Sequence, residues 1–330
     1  MATIYFVTNR NPNRIRDPDD FGKEFHRDSP ENLRFGWAQV DGEVQRIVVE
    51  DESLNKDPKR AKLGSVELLA KLKRGMMEGQ DTLCFIHGYS VSFRDALTTG
   101  AALHHAFAKP PGLQVVVFSW PSDGSMMPFL AYKRDRDDAR LSGPALGRAL
   151  LKVRDFLVAV QRGVDTCPGR LHLMAHSMGN YVLRNGLQAF IQKGGVLTRI
   201  FDNILLMAAD EDHDTFEHAH KLMHLPELAG GVHVYFNPGD TALVLSDRTK
   251  SNPTRLGSQG PRLPHGVPGN VTIVDVGPVV GGVVEHSYFH NDPGVVEDVG
   301  QVLAMVAPDL IPRRRYVATQ NRYVLESAPG

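Results

Sequence analysis

Ala175-His176-Ser177-Met178-Gly179 is the stretch on which the reading of this chain turns. Arg170 to Ala175 reads as a strand, and from Met178 to Lys193 the apolar residues fall at helical intervals. Only a tight turn fits between them. Such a turn holds its central residue in a strained backbone conformation and brings neighbouring backbone close on either side. Residues two positions before and after the centre must then be small, as Ala175 and Gly179 are. Ser177 is left with its hydroxyl pointing away from the strand and the first amides of a helix beside it.

The alternation of strand and helix runs outward from this point. Upstream, Thr82-Leu83-Cys84-Phe85-Ile86 is a strand that ends at His87-Gly88, and Ser92 to Ala108 is a helix stopped by Lys109-Pro110-Pro111-Gly112. Gln114 to Trp120 is the next strand, and Asp135 to Gln161 a long helix with a break expected at Gly143-Pro144. Downstream, Phe201 to Ala209, Val232 to Phe236 and Val271 to Val276 are strands, the third read as the last of the core. Thr215 to Leu225 and Pro293 to Val306 read as helices. Ser251 to Pro268, rich in Gly, Pro, Ser and Arg, reads as a mobile loop. Repetition of this kind predicts a parallel sheet covered by helices on both faces. Residues 1–80 are expected to add a decoration and the first, antiparallel strands, with a strand at Val44 to Glu50. The reading is one domain over residues 1–330, with candidate cap or loop insertions at 212–230 and 251–270.

Composition narrows the function classes. A net charge of −1 offers no bulk attraction for nucleic acid or an anionic membrane surface. Arg313-Arg314-Arg315 is read as a solvated tail. Two cysteines, Cys84 and Cys167, exclude a disulfide framework and zinc-type spacing. Neither a signal peptide nor a membrane-length apolar run is visible, so a cytoplasmic location is expected. No glycine-rich phosphate motif appears, and no cofactor is expected. Asp210-Glu211-Asp212-His213-Asp214 with His218, His220 and His224 invites a metal reading, because His220 and His224 would lie one helical turn apart. No third ligand is fixed by spacing, and a polar helix face accounts for the cluster; no metal is expected.

Four segments carry a resemblance: Phe85-Ile86-His87-Gly88-Tyr89, Phe118-Ser119-Trp120-Pro121-Ser122-Asp123-Gly124, Ala175-His176-Ser177-Met178-Gly179-Asn180 and Glu285-His286-Ser287-Tyr288-Phe289. On these the chain resembles the α/β-hydrolases, and more narrowly a bacterial family of them of unknown function. The resemblance implies a mostly parallel eight-stranded sheet with helices on both faces, and Ser177 as a nucleophile. A serine needs a base, and the fold's order of serine, acid, histidine points to His286, with His290 as the alternative. It points to Asp240 as the acid, with Asp210, at the end of the preceding strand, as the alternative. Met178 and Tyr89 would supply oxyanion amides, and His87, Gly88, Trp120 and His176 would stand on the substrate side, although the Trp120 ring itself is read as core. The activity implied is hydrolysis of a small-molecule ester. A thioesterase or amidase of the same fold, or a non-catalytic binding protein on this scaffold, stands as the alternative.

Overall fold

The computed structural model describes residues 1–50, 63–122, 128–161, 167–243, 254–281 and 286–327. Asp123, Gly124 and Glu285 of the segments quoted above, and residues 251–253 of the second insertion, lie outside the described residues. The strands are β1 (Ala2–Thr8), β2 (Arg10–Pro12), β3 (Phe21–Phe25), β4 (Arg34–Asp41), β5 (Glu43–Val49), β6 (Asp81–Ile86), β7 (Leu113–Ser119), β8 (Leu171–His176), β9 (Phe201–Met207), β10 (Ala229–Phe236), β11 (Val271–Asp275), β12 (Arg314–Val317) and β13 (Arg322–Leu325). The helices are α1 (Gly64–Met77), α2 (Phe93–Phe107), α3 (Pro128–Gln161), α4 (Gly179–Gln192), α5 (Leu256–Gln259), α6 (Tyr288–Asn291) and α7 (Pro293–Leu303).

One sheet takes the order β12-β13-β11-β10-β9-β8-β6-β7-β1-β4-β5, and β2 pairs with β3 apart from it. Every pairing from β13 across to β1 is parallel; β12, β4 and β5 run antiparallel at the edges. Central strands β7 and β8 are buried at every position. A parallel sheet covered on both sides has no solvent face, which is why these strands lack polar alternation. Ile86, Val116, Phe118 and Ala175 pack under α1, α3 and α4, while Leu83, Phe85, Val115 and Val117 pack under α2 and α7. Among the described residues no helix is long and apolar enough to cross a membrane.

Four expectations need correction. Among the described residues the sheet has eleven strands, not eight. The C-terminal addition was hidden because Arg314, read as part of a solvated tail, lies in β12 with its side chain buried, Nε and Nη2 on the Asp298 carboxylate at 2.7 and 2.6 Å. Helix α3 starts at Pro128 and runs unbroken through Pro144. It is held there by close packing on α4: a Cβ on Gly143 would stand 2.5 Å from Asn185 Cβ, and one on Gly147 would stand 2.9 Å from Ala189 Cβ. Thr215 to Leu225 is not a helix but two 3₁₀ turns, at Thr215–Glu217 and Leu225–Leu228, with irregular chain between. Its carbonyls are taken from outside, Gln188 of α4 donating to Ala219 and Lys221 at 2.9 and 2.8 Å. Finally, the described part of the 251–268 loop is not all surface: residues 255–258, 260 and 261 are buried. Arg255 and Leu256 are fully buried, and Arg255 Nη1 donates to Asp212 at 2.6 Å.

Candidate active site

The turn between β8 and α4 carries Ser177 at φ +51°, a left-handed conformation rare for a residue with a Cβ. Strain of this kind costs about 1–3 kcal/mol and persists only where surroundings over-determine it. Here they do. Ser177 N–H donates to Met207 O at 3.0 Å, and Ser177 C=O accepts from the amides of Asp210 and Asn180, each at 3.1 Å. The Asn180 side-chain amide, wholly buried, donates to the carbonyls of Ala175, Ser177 and Met207 at 3.1, 3.0 and 3.4 Å. Sequence reading gave Asn180 no role, because an asparagine in a first helical turn looks like ordinary helix-start chemistry.

Two glycines let the neighbouring chain approach. A Cβ on Gly179 would lie 2.5 Å from Ile86 O, and one on Gly88 would lie 2.9 Å from Ser177 Cβ. The loop that leaves β6 is therefore pressed against the serine. Met178 follows at φ −62°, so its amide and that of Gly179 open α4 with no carbonyl of the helix behind them.

Asp240 and His286 meet: His286 Nδ1 lies 2.7 Å from Asp240 Oδ2. The other carboxylate oxygen caps the following turn, accepting from the amides of Ala242 and Leu243 at 3.1 and 3.2 Å. Asp240 is buried at 1% exposure while the His286 side chain keeps 21%, so the imidazole is anchored at one edge and reachable elsewhere. An acceptor on Nδ1 places the proton there and leaves Nε2 with its lone pair. His176 holds the same segment from below, its Nε2–H donating to His286 O at 3.0 Å. Its ring also lies 4.8 Å from that of His286 and 4.5 Å from Phe289. Burial, then the neighbouring His286, pushes the His176 pKa well below the usual imidazole value, so it is a neutral donor.

The alternatives sit elsewhere. Asp210 accepts from Tyr132 Oη at 2.5 Å and faces Arg255 and Arg136 at 3.5 and 3.9 Å. His290 packs its ring 4.4 Å from Phe289, and its Nδ1 is buried without a hydrogen bond among the described residues.

His87, read as lying on the substrate side, and Trp120, whose ring was read as core, are both fully buried and stacked on one another, ring centroids 5.2 Å apart at 9°. Trp120 N–H donates to His87 Nε2 at 3.2 Å, which puts the ring proton on Nδ1, and Nδ1–H donates to Gly88 O at 2.9 Å. Burial, aided by the Arg10 charge, pushes the His87 pKa down to about 3, so this tautomer persists. Neither ring reaches the surface; both act on the loop through its backbone. Tyr89 is partly exposed, its ring 5.9 Å from that of Tyr132.

The acidic run after β9 is neutralised by cations. Arg184 binds Glu211 at 2.9 Å, Lys221 binds Asp212 at 3.0 Å and also Asp214, and Arg255 binds Asp212. His218 turns to Asp214 at 3.1 Å and His224 to Glu227 at 2.7 Å. His220 and His224 lie on irregular chain between the two 3₁₀ turns, not one helical turn apart.

Residues 66–305 match the family described as alpha/beta hydrolase of unknown function (DUF900). Among curated proteins, the chain is similar to the uncharacterized protein alr1448 of Nostoc sp. (strain PCC 7120), with 28% identity over 141 residues. That likeness covers 36% of this chain and 34% of the relative, so the chain spans about a third of that protein's length. A family match over more than two thirds of the chain, on a parallel sheet that carries its serine at the turn into α4, means that this protein belongs to the alpha/beta hydrolases of unknown function.

Proposed function

We propose that this protein is a serine hydrolase that cleaves carboxylic esters through an acyl-enzyme on Ser177. The observation that carries the reading is the 2.7 Å pair of His286 with buried Asp240, formed in the same fold that holds Ser177 at φ +51°. Serine alone is a poor nucleophile at neutral pH. His286 Nε2 takes the Ser177 hydroxyl proton as Oγ attacks the ester carbonyl, and Asp240 stabilises the imidazolium. The negative charge that develops on the carbonyl oxygen falls to the amides of Met178 and Tyr89, donors of a kind worth about 3–4 kcal/mol each. Collapse expels the alcohol, which leaves with the proton from His286. Water, deprotonated by His286, then releases the carboxylic acid and restores Ser177. Esters fit best because an alkoxide leaves more readily than an amide nitrogen.

The test is covalent labelling by a fluorophosphonate probe, followed by hydrolysis of p-nitrophenyl esters of increasing acyl length. Wild type is expected to label and Ser177→Ala not to. Label that survives in Ser177→Ala, or a wild type that takes none, would sink the reading. The ester series then sets the acyl size.

A further inference from the structure

Four consecutive peptide planes between β6 and α2 are each pinned by a different buried side chain. The plane joining Gly88 to Tyr89 is held at its carbonyl, which accepts from His87 Nδ1 at 2.9 Å. The plane joining Tyr89 to Ser90 is held at the Ser90 amide, which donates to Asp135 Oδ2 at 3.3 Å. The Ser90–Val91 plane is held at the Val91 amide, which donates to Ser122 Oγ at 3.4 Å. The last is held at Val91 O, which accepts from Arg10 Nη2 at 2.7 Å. Ser122 Oγ–H in turn donates to Asp135, and Arg10 is itself fixed by Ser119 Oγ at 2.9 Å and Gly22 O at 3.2 Å.

These groups come from β2, from the chain after β7 and from α3, and none is an obvious surface loop partner. Arg10, Ser122 and Asp135 are 1%, 2% and 0% exposed. A loop on the surface ordinarily gives its amides and carbonyls to water. Here the fold instead buries a guanidinium and a carboxylate around the six-residue connection 87–92, and holds Ser90 at φ +58°. A peptide unit is planar, so fixing its carbonyl fixes the direction of the N–H across the plane. Tyr89 lies between two fixed planes, and its own N–H has one direction.

We propose that Asp135, Ser122 and Arg10 are positioning residues that hold residues 88–92 so that the Tyr89 amide is aimed at the developing oxyanion. The inference rests on the reading of Ser177 as nucleophile. It adds that the oxyanion donor is set by a polar clamp supplied from far along the chain.

The experiment uses the full chain and the second-order rate of fluorophosphonate labelling at Ser177, measured across pH, which needs no knowledge of the substrate. Ser122→Ala and Asp135→Ala are expected to lower the plateau rate by about tenfold to a hundredfold, since a donor about 1 Å out of place loses most of its effect. The midpoint of the pH profile should not move, because the His286–Asp240 pair is untouched. Asp135→Asn keeps an acceptor for the Ser90 amide and should restore most of the rate. A merely structural effect would lower the melting temperature without changing the plateau of the folded protein. Folded Ser122→Ala labelling within about twofold of wild type overturns the proposal, and decides it even if Asp135→Ala fails to fold. A shifted midpoint at an unchanged plateau overturns it too, assigning the effect to the base. Label that persists in Ser177→Ala fails the parent reading instead, and is distinguished by that variant alone.

Discussion

At the scale of single residues, geometry was legible where it depends on local chain and illegible where it depends on pairing. Ser177 needs a strand before it, a helix after it and small residues around it, and all three are written within ten positions. The carboxylate that pairs with His286 is different: Asp240 and Asp210 both follow a strand, and nothing local separates them. The structure separates them by partner, since Asp240 meets His286 while Asp210 is enclosed by Tyr132, Arg136 and Arg255. Asp240→Asn is expected to lower kcat about ten-thousand-fold with little change in KM, because the imidazole loses its tautomer control. Asp210→Asn should spare most of kcat and instead cost about 3–5 kcal/mol in urea unfolding, as a buried ion pair broken on one side does. A second residue-scale prediction concerns acid stability. Burial lowers the His172 pKa to about 4 and the His233 pKa to about 3, against ~6.5 in an unfolded chain. The folded form therefore refuses protons that the unfolded form binds. Stability should be level above pH ~6.5 and fall as pH drops below it, by about 1.4 kcal/mol per pH unit for each histidine until its folded pKa is reached. Neither ring nitrogen of His172 has a hydrogen bond among the described residues, so His172→Leu should remove one such slope with little cost at neutral pH. Urea titrations from pH 8 to 4 would show it, and an unchanged slope would refute it.

At the scale of elements, periodicity found the core strands and the helices whose backbone hydrogen bonds close within the helix. It erred where another element supplied them. Residues 215–225 have helical spacing, yet α4 takes the carbonyls of Ala219 and Lys221 through Gln188, and no helix forms. Pro144 should have broken α3, yet the contact of Gly143 and Gly147 with α4 keeps the axis. The same dependence governs the turn at Ser177, whose strain is offset by the Asn180 amide. Asn180→Ala should lower stability by about 1–3 kcal/mol through the buried hydrogen bonds it removes. Asn180→Asp should cost more than the alanine, because a carboxylate oxygen would then face the carbonyls of Ala175, Ser177 and Met207. Midpoints of urea unfolding at constant m rank the two variants, and the reverse order would contradict this account.

At the scale of the whole molecule, the edges of the sheet rest on charges that sequence reading sent to solvent. The side chains of Arg314 and Asp298 are both 0% exposed and share their network with Tyr235 Oη, 2.5 Å from Asp298 and 3.0 Å from Arg314. This cluster fastens β12 and β13 to α7 and to β10. Arg314→Met should cost about 3–5 kcal/mol by leaving Asp298 charged and buried, while Arg314→Met with Asp298→Ala should cost less than the sum of the single changes. Additive losses in a double-mutant cycle would show that the two do not act as a pair.

What the sequence determined by itself was the alternation of strands and helices, the parallel sheet covered on both faces, and Ser177 at its turn. Each follows from spacing along a few adjacent residues, where 2.0 and 3.6 periods and the size of flanking side chains are decisive. Only the tertiary structure decided that the described sheet has eleven strands, that Asp240 rather than Asp210 reaches His286, and that the side chains of Arg10, Ser122, Asp135, Asn180 and Arg314 are buried. A polar side chain looks the same in sequence whether it meets water or a partner a hundred residues away. The cost of burying it falls only when that partner arrives, and that is a property of the fold.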